Sequence, residues 1–547
     1  MTGIEKHSSR KRLAMVLMIL LLSGCVCRKI NDQQLAIRNV ILIIGDGMGY
    51  PAVGLLRSYA RYAPESIYSG QNGICALEQA MVNGRQYVQF TEPYGVLVTD
   101  SAASGTQLAG GKPALTGVIG GDHLGNPVET ILEVAKKHGK TTALVSDTRI
   151  THATPAVFAA HVADRGMEDT IAEQLIQSKT RPDIMFSAGL HNFLPLSFND
   201  PESDIHRRLI SKWNIDPRIR SKRTDDRDLL AEAETEGRYA VVLDRAALEK
   251  VDKPPVLGLF ASAAMPDAIV EKQERDNPSR QWPTLDEMTL RALELASTNP
   301  KGFFLMVEAG QIDWAAHYND AGMLLNEMIR LDRVIEAVYT WAKGRDDTVI
   351  IITADHDTGG YAMAYADALN PPEPVVLPGP LFSGSEYVPS SDYGDYAVLD
   401  KLYNQRIGAS ELIIEFLQLE DTERTPEKLA AMVNDRLDIT LSPADAERIM
   451  RERPDPFSRK RNNQTDIRMV PDMGDSQIYY RGYIRMLCGL LARKTGIGRN
   501  ITWSCGTHTA APVPLIVLGP KSVQDLFSSV MHSTDTGKAM IRLVSAE

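Results

Sequence analysis

Short runs of aliphatic and β-branched residues alternate along this chain with longer stretches of helical periodicity. That pattern predicts a mostly parallel sheet with helices on both faces. Strands are predicted at 40–44, 96–98, 142–145, 184–186, 256–260, 303–307, 349–352 and 515–518. Several of these runs are continuously apolar rather than alternating, as strands buried on both faces should be. Helices are predicted near 128–138, 168–178, 284–298, 321–343 and 535–545. The charge-rich stretch 200–236 reads as surface loop plus helix. From 366 to 400 the composition turns to Pro, Gly and Ser, and 408–453 is helical and highly charged. The expected organisation is a main α/β domain built from 39–360 and 501–547, with 361–500 inserted before the last strands.

The first residues follow a different pattern. Lys6, Arg10, Lys11 and Arg12 precede the unbroken apolar run 13–22 and then Ser23-Gly24-Cys25. A basic region, a short apolar core and small residues make a secretory signal, too short to span a bilayer comfortably. Leu22-Ser23-Gly24-Cys25 also has the form of a bacterial lipobox. On that reading 1–24 is removed, Cys25 carries lipid and 25–38 is a tether. The protein is then expected in the periplasm or at the cell surface, held to a bacterial membrane by its lipid. Losing four cations and Glu5 with the leader takes the formal charge from −11 to −14. Such acidity argues against nucleic acid as a partner, because phosphate backbones select basic surfaces. A small anionic substrate remains compatible, since bound cations invert a local field. Cys27, Cys75, Cys488 and Cys505 follow the leader. An oxidising compartment permits disulfides; Cys488 and Cys505 are the preferred pair, and no cysteine has the spacing of a structural zinc site.

Chemistry-bearing residues gather where the predicted strands end, the edge at which α/β sheets place their sites. Thr99-Asp100-Ser101-Ala102-Ala103-Ser104-Gly105 opens a helical pattern, so the Ser101 hydroxyl stands at a helix N-terminus among small side chains. Unpaired backbone N–H groups there favour an anion, which makes Ser101 a candidate nucleophile for phosphoryl or sulfuryl transfer. Asp46 lies between Gly45 and Gly47 after the first strand. Glu308 ends the run 303–307, and Asp313 and His317 follow at i and i+4, on one face of a helical turn. Asp355 and His356 stand just past 349–352, where an ionised carboxylate needs a partner. His508 lies in a loop before the last predicted strand and supplies a further ligand. His152 and Thr154 follow the strand ending at Val145; ten residues after Thr151, His161 and Arg165 are spaced one helical turn apart. A guanidinium can grip two phosphate oxygens at once.

These segments, in this order, resemble the alkaline phosphatase family. Asp-Ser-Ala-Ala-Ser, Val-Glu-x-x-x-Ile-Asp-x-x-x-His and Thr-Ala-Asp-His carry the resemblance, which covers 39–360 and 500–547. It implies hydrolysis of phosphate monoesters through a phosphoserine at Ser101, with an alkaline pH optimum. It implies a first zinc on Asp313, His317 and His508, and a second on Asp46, Asp355 and His356. A third, magnesium-type ion falls to Asp46, Thr154 and Glu308, and substrate phosphate to Arg165. The ligand chemistry agrees: imidazole-rich sets suit zinc, and carboxylate with hydroxyl suits magnesium. Two such ions can clamp the entering and leaving oxygens of an in-line displacement. The resemblance also implies a homodimer.

Two positions depart from the enterobacterial pattern: His152 replaces Asp, and Trp314 replaces Lys. Both line the rim with Asp100, and their exchange implies looser phosphate binding and a third ion that is either magnesium or zinc. The alternatives are a phosphodiesterase or sulfatase on the same framework, or a lipoprotein that binds metal or phosphate without turnover. Ser101-Ala102-Ala103-Ser104 lacks the x-Pro-x-Arg sequence of a formylglycine precursor. Glu308 and Thr154 favour the monoesterase over a diesterase, which often has Thr as nucleophile and lacks the third ion.

Overall fold

The computed structural model describes residues 37–367, 373–382, 384–457 and 468–545. The leader, Cys25 and Cys27 lie outside them. Ten strands form the central sheet: β1 (Asn39–Gly45), β2 (Arg85–Phe90), β3 (Thr141–Arg149), β4 (Ile184–Ala188), β5 (Ala240–Val242), β6 (Val256–Leu259), β7 (Phe303–Ala309), β8 (Thr348–Thr353), β9 (Val513–Leu518) and β10 (Val530–His532). Their spatial order is β10-β2-β9-β8-β1-β7-β3-β4-β6-β5. Neighbours run parallel throughout except at β9, which is antiparallel to both β2 and β8. The fold is therefore α/β with a mostly parallel sheet, as the alternation of patterns predicts.

The apolar run of β1 explains its central place. Ile41 and Ile43 enter the core on one face of the sheet, while Val40, Leu42 and Ile44 enter the core on the other. Successive side chains of a strand point to opposite faces, so only a continuous apolar run satisfies both. Each such side chain contributes about 1.5–3 kcal/mol relative to exposure. Four helices matter for the site: α1 (Ser101–Gly110), α2 (Gln311–His317), α3 (Ala321–Ala342) and α4 (Tyr483–Gly496).

Two expectations fail. Residues 96–98 are an exposed bend, with Leu97 82% accessible, and the neighbouring strand is instead Arg85–Phe90. A run of three apolar residues cannot be told from a loop by its period. Cys488 and Cys505 do not pair. Both are free thiols, as is Cys75. Cys488 is buried on α4 in the core of the inserted region, and the Cys505 thiol donates to the Thr507 carbonyl at 3.2 Å.

The strand Tyr361–Met363 pairs antiparallel with Ile501–Trp503, so the chain leaves and re-enters at one place. Between them, Leu412, Ile413 and Phe416 pack with Leu429, Val433 and Leu491 in a core of their own. Among the described residues no helix is long and apolar enough to cross a membrane.

Candidate active site

The parallel strands deliver the ligand-type residues to one edge of the sheet. β1, β7 and β8 lie side by side: Asp46 and Asp355 each stand two residues beyond the pair Ile44 and Thr353, while Glu308, still within β7, pairs with Ile44. Asp46 follows Gly45 at the end of β1, and the next residue must be glycine. Gly47 has φ +72°, and a Cβ there would lie 2.8 Å from the Asp313 Cα. Only a residue without a side chain lets the two acidic segments come this close. Its N–H donates to Asp355 Oδ1 at 3.2 Å.

Ser101 is the first residue of α1, as its sequence setting predicts. Asp100 is the N-cap: its carboxylate accepts from Ala103 N–H at 3.0 Å and also from Gly117 N–H. Ser101 Oγ is 3.2 Å from His356 Nε2. Arg165 reaches the same corner, donating from Nη1 to Asp100 Oδ2 at 3.1 Å, with Nη2 3.3 Å from His152 Nε2. It does so from a loop rather than a helix. Its N–H donates to the Gly117 carbonyl, and His161 turns away to the Gly120 carbonyl and Glu133. The helical-turn spacing of His161 and Arg165 is thus a coincidence of sequence.

Three sets of side chains offer ligand atoms within 4.8 Å of one another: Asp313 with His356 and His508, Asp46 with Asp355 and His356, and Asp46 with His152 and Glu308. His317 Nε2 adjoins the first set, 3.2 Å from Asp313 Oδ2. Thr154 adjoins the third, donating from Oγ1 to Asp46 Oδ2 at 3.2 Å. Trp314 stands edge-on to His152, ring centroids 6.3 Å apart. All the sequence-predicted ligands therefore converge, and His152 joins the third set more closely than the expected rim position.

The histidines are held in one tautomer. His317 Nδ1–H donates to the Gly506 carbonyl and His508 Nδ1–H to the Thr99 carbonyl, each at 2.8 Å. Thr358 Oγ1 donates to Asp313 Oδ1 at 2.6 Å, so it accepts from His356 Nδ1–H at 3.2 Å. Each ring then presents the Nε2 lone pair to the cluster, the arrangement that metal-binding histidines take. His152 differs. Arg165 can only donate, so its neighbour Nε2 is an acceptor and the proton sits on Nδ1, 3.5 Å from Glu308 Oε1.

Electrostatics mark the cluster as built for cations. Burial pushes Asp46 well above the usual carboxylate range, and the charges of Asp355, Asp313 and Glu308 push it further. Burial and then the charge of Asp313 push Asp355 up to about 7. Burial also acts upward on Asp313, but His317, His508 and His356 outweigh it and hold that carboxylate well below its ordinary value. Burial keeps His356, His508 and His152 below the usual imidazole range, so they stay neutral. Asp46 Oδ1, Asp355 Oδ2 and Glu308 Oε1 are buried without a hydrogen-bond partner. Orphaned buried acceptors are costly. Divalent cations are partners of the right charge for this oxygen and imidazole set.

Several contributors are invisible to motif reading. Ser146 and Thr148 hydroxyls both donate to Glu308 Oε2, the latter at 2.9 Å. A polar Ser-Asp-Thr run closing a buried strand was the available signal.

A family model for alkaline phosphatase matches residues 37–378. The chain belongs to the alkaline phosphatase family. Alkaline phosphatase 4 of Bacillus subtilis is 34% identical over 337 residues, covering 61% of this chain and 64% of the relative. The repressible alkaline phosphatase of Saccharomyces cerevisiae is 31% identical over 404 residues, covering 71% of this chain and 66% of the relative. The chain thus spans just under two thirds of these relatives' length. The alkaline phosphatase fold extends further: the Thermus thermophilus enzyme superposes with a TM-score of 0.70 at 23% identity, over 96% of each chain.

Proposed function

We propose that this protein hydrolyses small phosphate monoesters through a phosphoserine at Ser101. The observation that carries this is the buried cluster of unpartnered carboxylate oxygens and inward-facing Nε2 atoms, with the Ser101 hydroxyl at its edge. Asp313, His317 and His508 would hold one zinc, and Asp46, Asp355 and His356 a second. Asp46, Thr154 and Glu308, beside His152, would hold magnesium or zinc. When bound, the ions supply Lewis acidity that lowers the pKa of serine and water and neutralises charge on the transferring oxygens.

The chain's own groups do the rest. The N-terminus of α1 aims the Ser101 Oγ and its backbone N–H groups at an incoming anion. A bond forms between Oγ and phosphorus as the bond to the alcohol breaks; water then cleaves the phosphoseryl ester and releases phosphate. Asp100 holds Arg165 through Nη1, leaving other N–H groups of the fork to grip phosphate oxygens. Neutral His356 and His508 favour ligation and work at neutral to alkaline pH. Trp314, standing where the enterobacterial pattern has an ammonium, offers phosphate no cation beside His152, which supports weak product inhibition.

The same reading includes the leader: Cys25 carries the lipid, and the enzyme works outside the cytoplasm on a bacterial membrane as a homodimer. Labelling with a fatty acid, lost in Cys25→Ala, tests the anchor. The activity is tested with p-nitrophenyl phosphate beside its bis-ester and sulfate analogues, with and without zinc. Ser101→Ala is expected to abolish the phosphoenzyme trapped at low pH, and with it the monoester turnover that passes through that intermediate. A phosphoenzyme that persists in this variant sinks the assignment.

A further inference from the structure

The inserted region reaches the residues that flank the ligand set through Tyr480. Tyr480 is buried, with its hydroxyl donating to Asn319 Oδ1 at 2.9 Å. Asn319 lies just beyond α2 in the left-handed region, φ +54°. Its Nδ2 donates to the Ala316 carbonyl at 2.9 Å and the Cys505 carbonyl at 2.8 Å. The Tyr480 ring lies against Gly506, where a Cβ would be 2.5 Å from Cδ1. The adjacent Tyr479 carbonyl accepts from Gly506 N–H at 3.2 Å. Gly506 in turn accepts from His317 Nδ1–H at 2.8 Å. One residue of the insertion thus joins the end of the helix bearing Asp313 and His317 to the loop that leads into His508.

We propose that Tyr480 is a positioning residue for the ligands His317 and His508, and that setting this pair is a function of the inserted region. The inference rests on the metal reading above. The Asn319 amide spends both N–H groups on the Ala316 and Cys505 carbonyls, and the Tyr480 hydroxyl ties its oxygen to the insertion. Without that donor Asn319 loses its tie to the insertion, its hold on the Cys505 carbonyl slackens, and the adjacent Gly506 carbonyl that fixes the tautomer and aim of His317 can shift. Loss of such an outer hydrogen bond weakens metal binding about 10–100-fold. A tyrosine that merely fills the small cluster with Val470, Met473 and Met486 would need only its ring.

The test uses the full-length protein, stripped with chelator and titrated with Zn²⁺ against a chromophoric competitor and with Co²⁺ by visible absorption. Tyr480→Phe keeps the ring and removes the donor. It is expected to weaken one zinc per chain about 10–100-fold and to change the cobalt bands, while the urea midpoint of the stripped protein stays at the wild-type value. Gly506→Ala, which drives a methyl into the ring, should weaken the same ion. Tyr483→Phe, which removes a hydroxyl bonded to Glu452 at 2.5 Å elsewhere on the insertion, should leave both readouts unchanged. Tyr480→Phe with wild-type affinity, or an equal loss in Tyr483→Phe, overturns the positioning role alone. A wild-type chain that takes up no zinc overturns the metal reading beneath it as well.

Discussion

Arg330 sits one layer beneath the ligands with its charge fully buried. On β3, Ser146 and Thr148 face Glu308 while Asp147 between them faces the other way, accepting from Gly310 N–H at 2.6 Å and from Arg330 at 3.2 Å. Arg330 also meets Glu327 at 3.0 Å and Glu271 at 3.1 Å. Burial pushes Asp147 up to about 6 and Glu327 to about 8, each moderated by the guanidinium. Removing the cation leaves buried carboxylates unpaired. Arg330→Met is therefore expected to destabilise the protein by about 3–5 kcal/mol, read as a lower urea midpoint; an unchanged midpoint would show that the carboxylates are already protonated. At this scale the sequence was legible wherever Asp, Glu or His closes an apolar run, because packing gives no other reason for them there. Thr358, Ser146 and Thr148 were not legible, since hydroxyls in buried strands commonly serve the local backbone. Tyr480 was not legible because its partner lies far away in the chain.

At the scale of elements, α1 couples two roles in its cap. Asp100 closes the helix through Ala103 N–H and holds Arg165 through its other oxygen. Asp100→Asn keeps a capping oxygen at little cost but removes the charge that fixes the guanidinium. KM for a phosphate monoester is expected to change several-fold, with the melting temperature nearly constant; a shift in melting temperature alone would reduce Asp100 to a cap. The strands show why some elements escaped the sequence. The Arg85–Phe90 segment, Arg-Gln-Tyr-Val-Gln-Phe, has neither a continuous apolar run nor a strict alternation, and its buried Gln89 is satisfied by Thr353, Ala354 and Thr536 rather than by apolar packing. Residues 96–98 carry the stronger apolar signal and lie on the surface. The short strands Ala240–Val242 and Val530–His532 have too few residues for a period to show.

For the molecule as a whole, pH acts on stability away from the site as well. The hydrogen bond to Glu133 raises His161 above its usual 6.5. Burial pushes Glu133 up, but the His161 bond and the backbone N–H of Thr130 bring it net below 4.5. A raised histidine stabilises fully below its unfolded value and loses that contribution as pH rises through its folded one; a lowered carboxylate stabilises above its unfolded value and loses it as pH falls. The charged pair is thus complete from about pH 4.5 to 6.5 and fades at the alkaline pH proposed for catalysis. His161→Gln is expected to cost more stability at pH 6 than at pH 9, measured by urea unfolding at both; equal costs would show that the pair never charges.

The reversed strand near the C-terminus also governs the order of assembly. β2 has no neighbours in the sheet other than β9 and β10, so a segment synthesised early must wait for residues 513–532 before it can dock. Contacts this distant in sequence form slowly. His508 is made just ahead of them, and Ser101 follows β2 along the chain. Emergence of the final strands therefore gates both the nucleophile and the last ligand, and a ribosome that stops short leaves a protein with most of its core and no working centre.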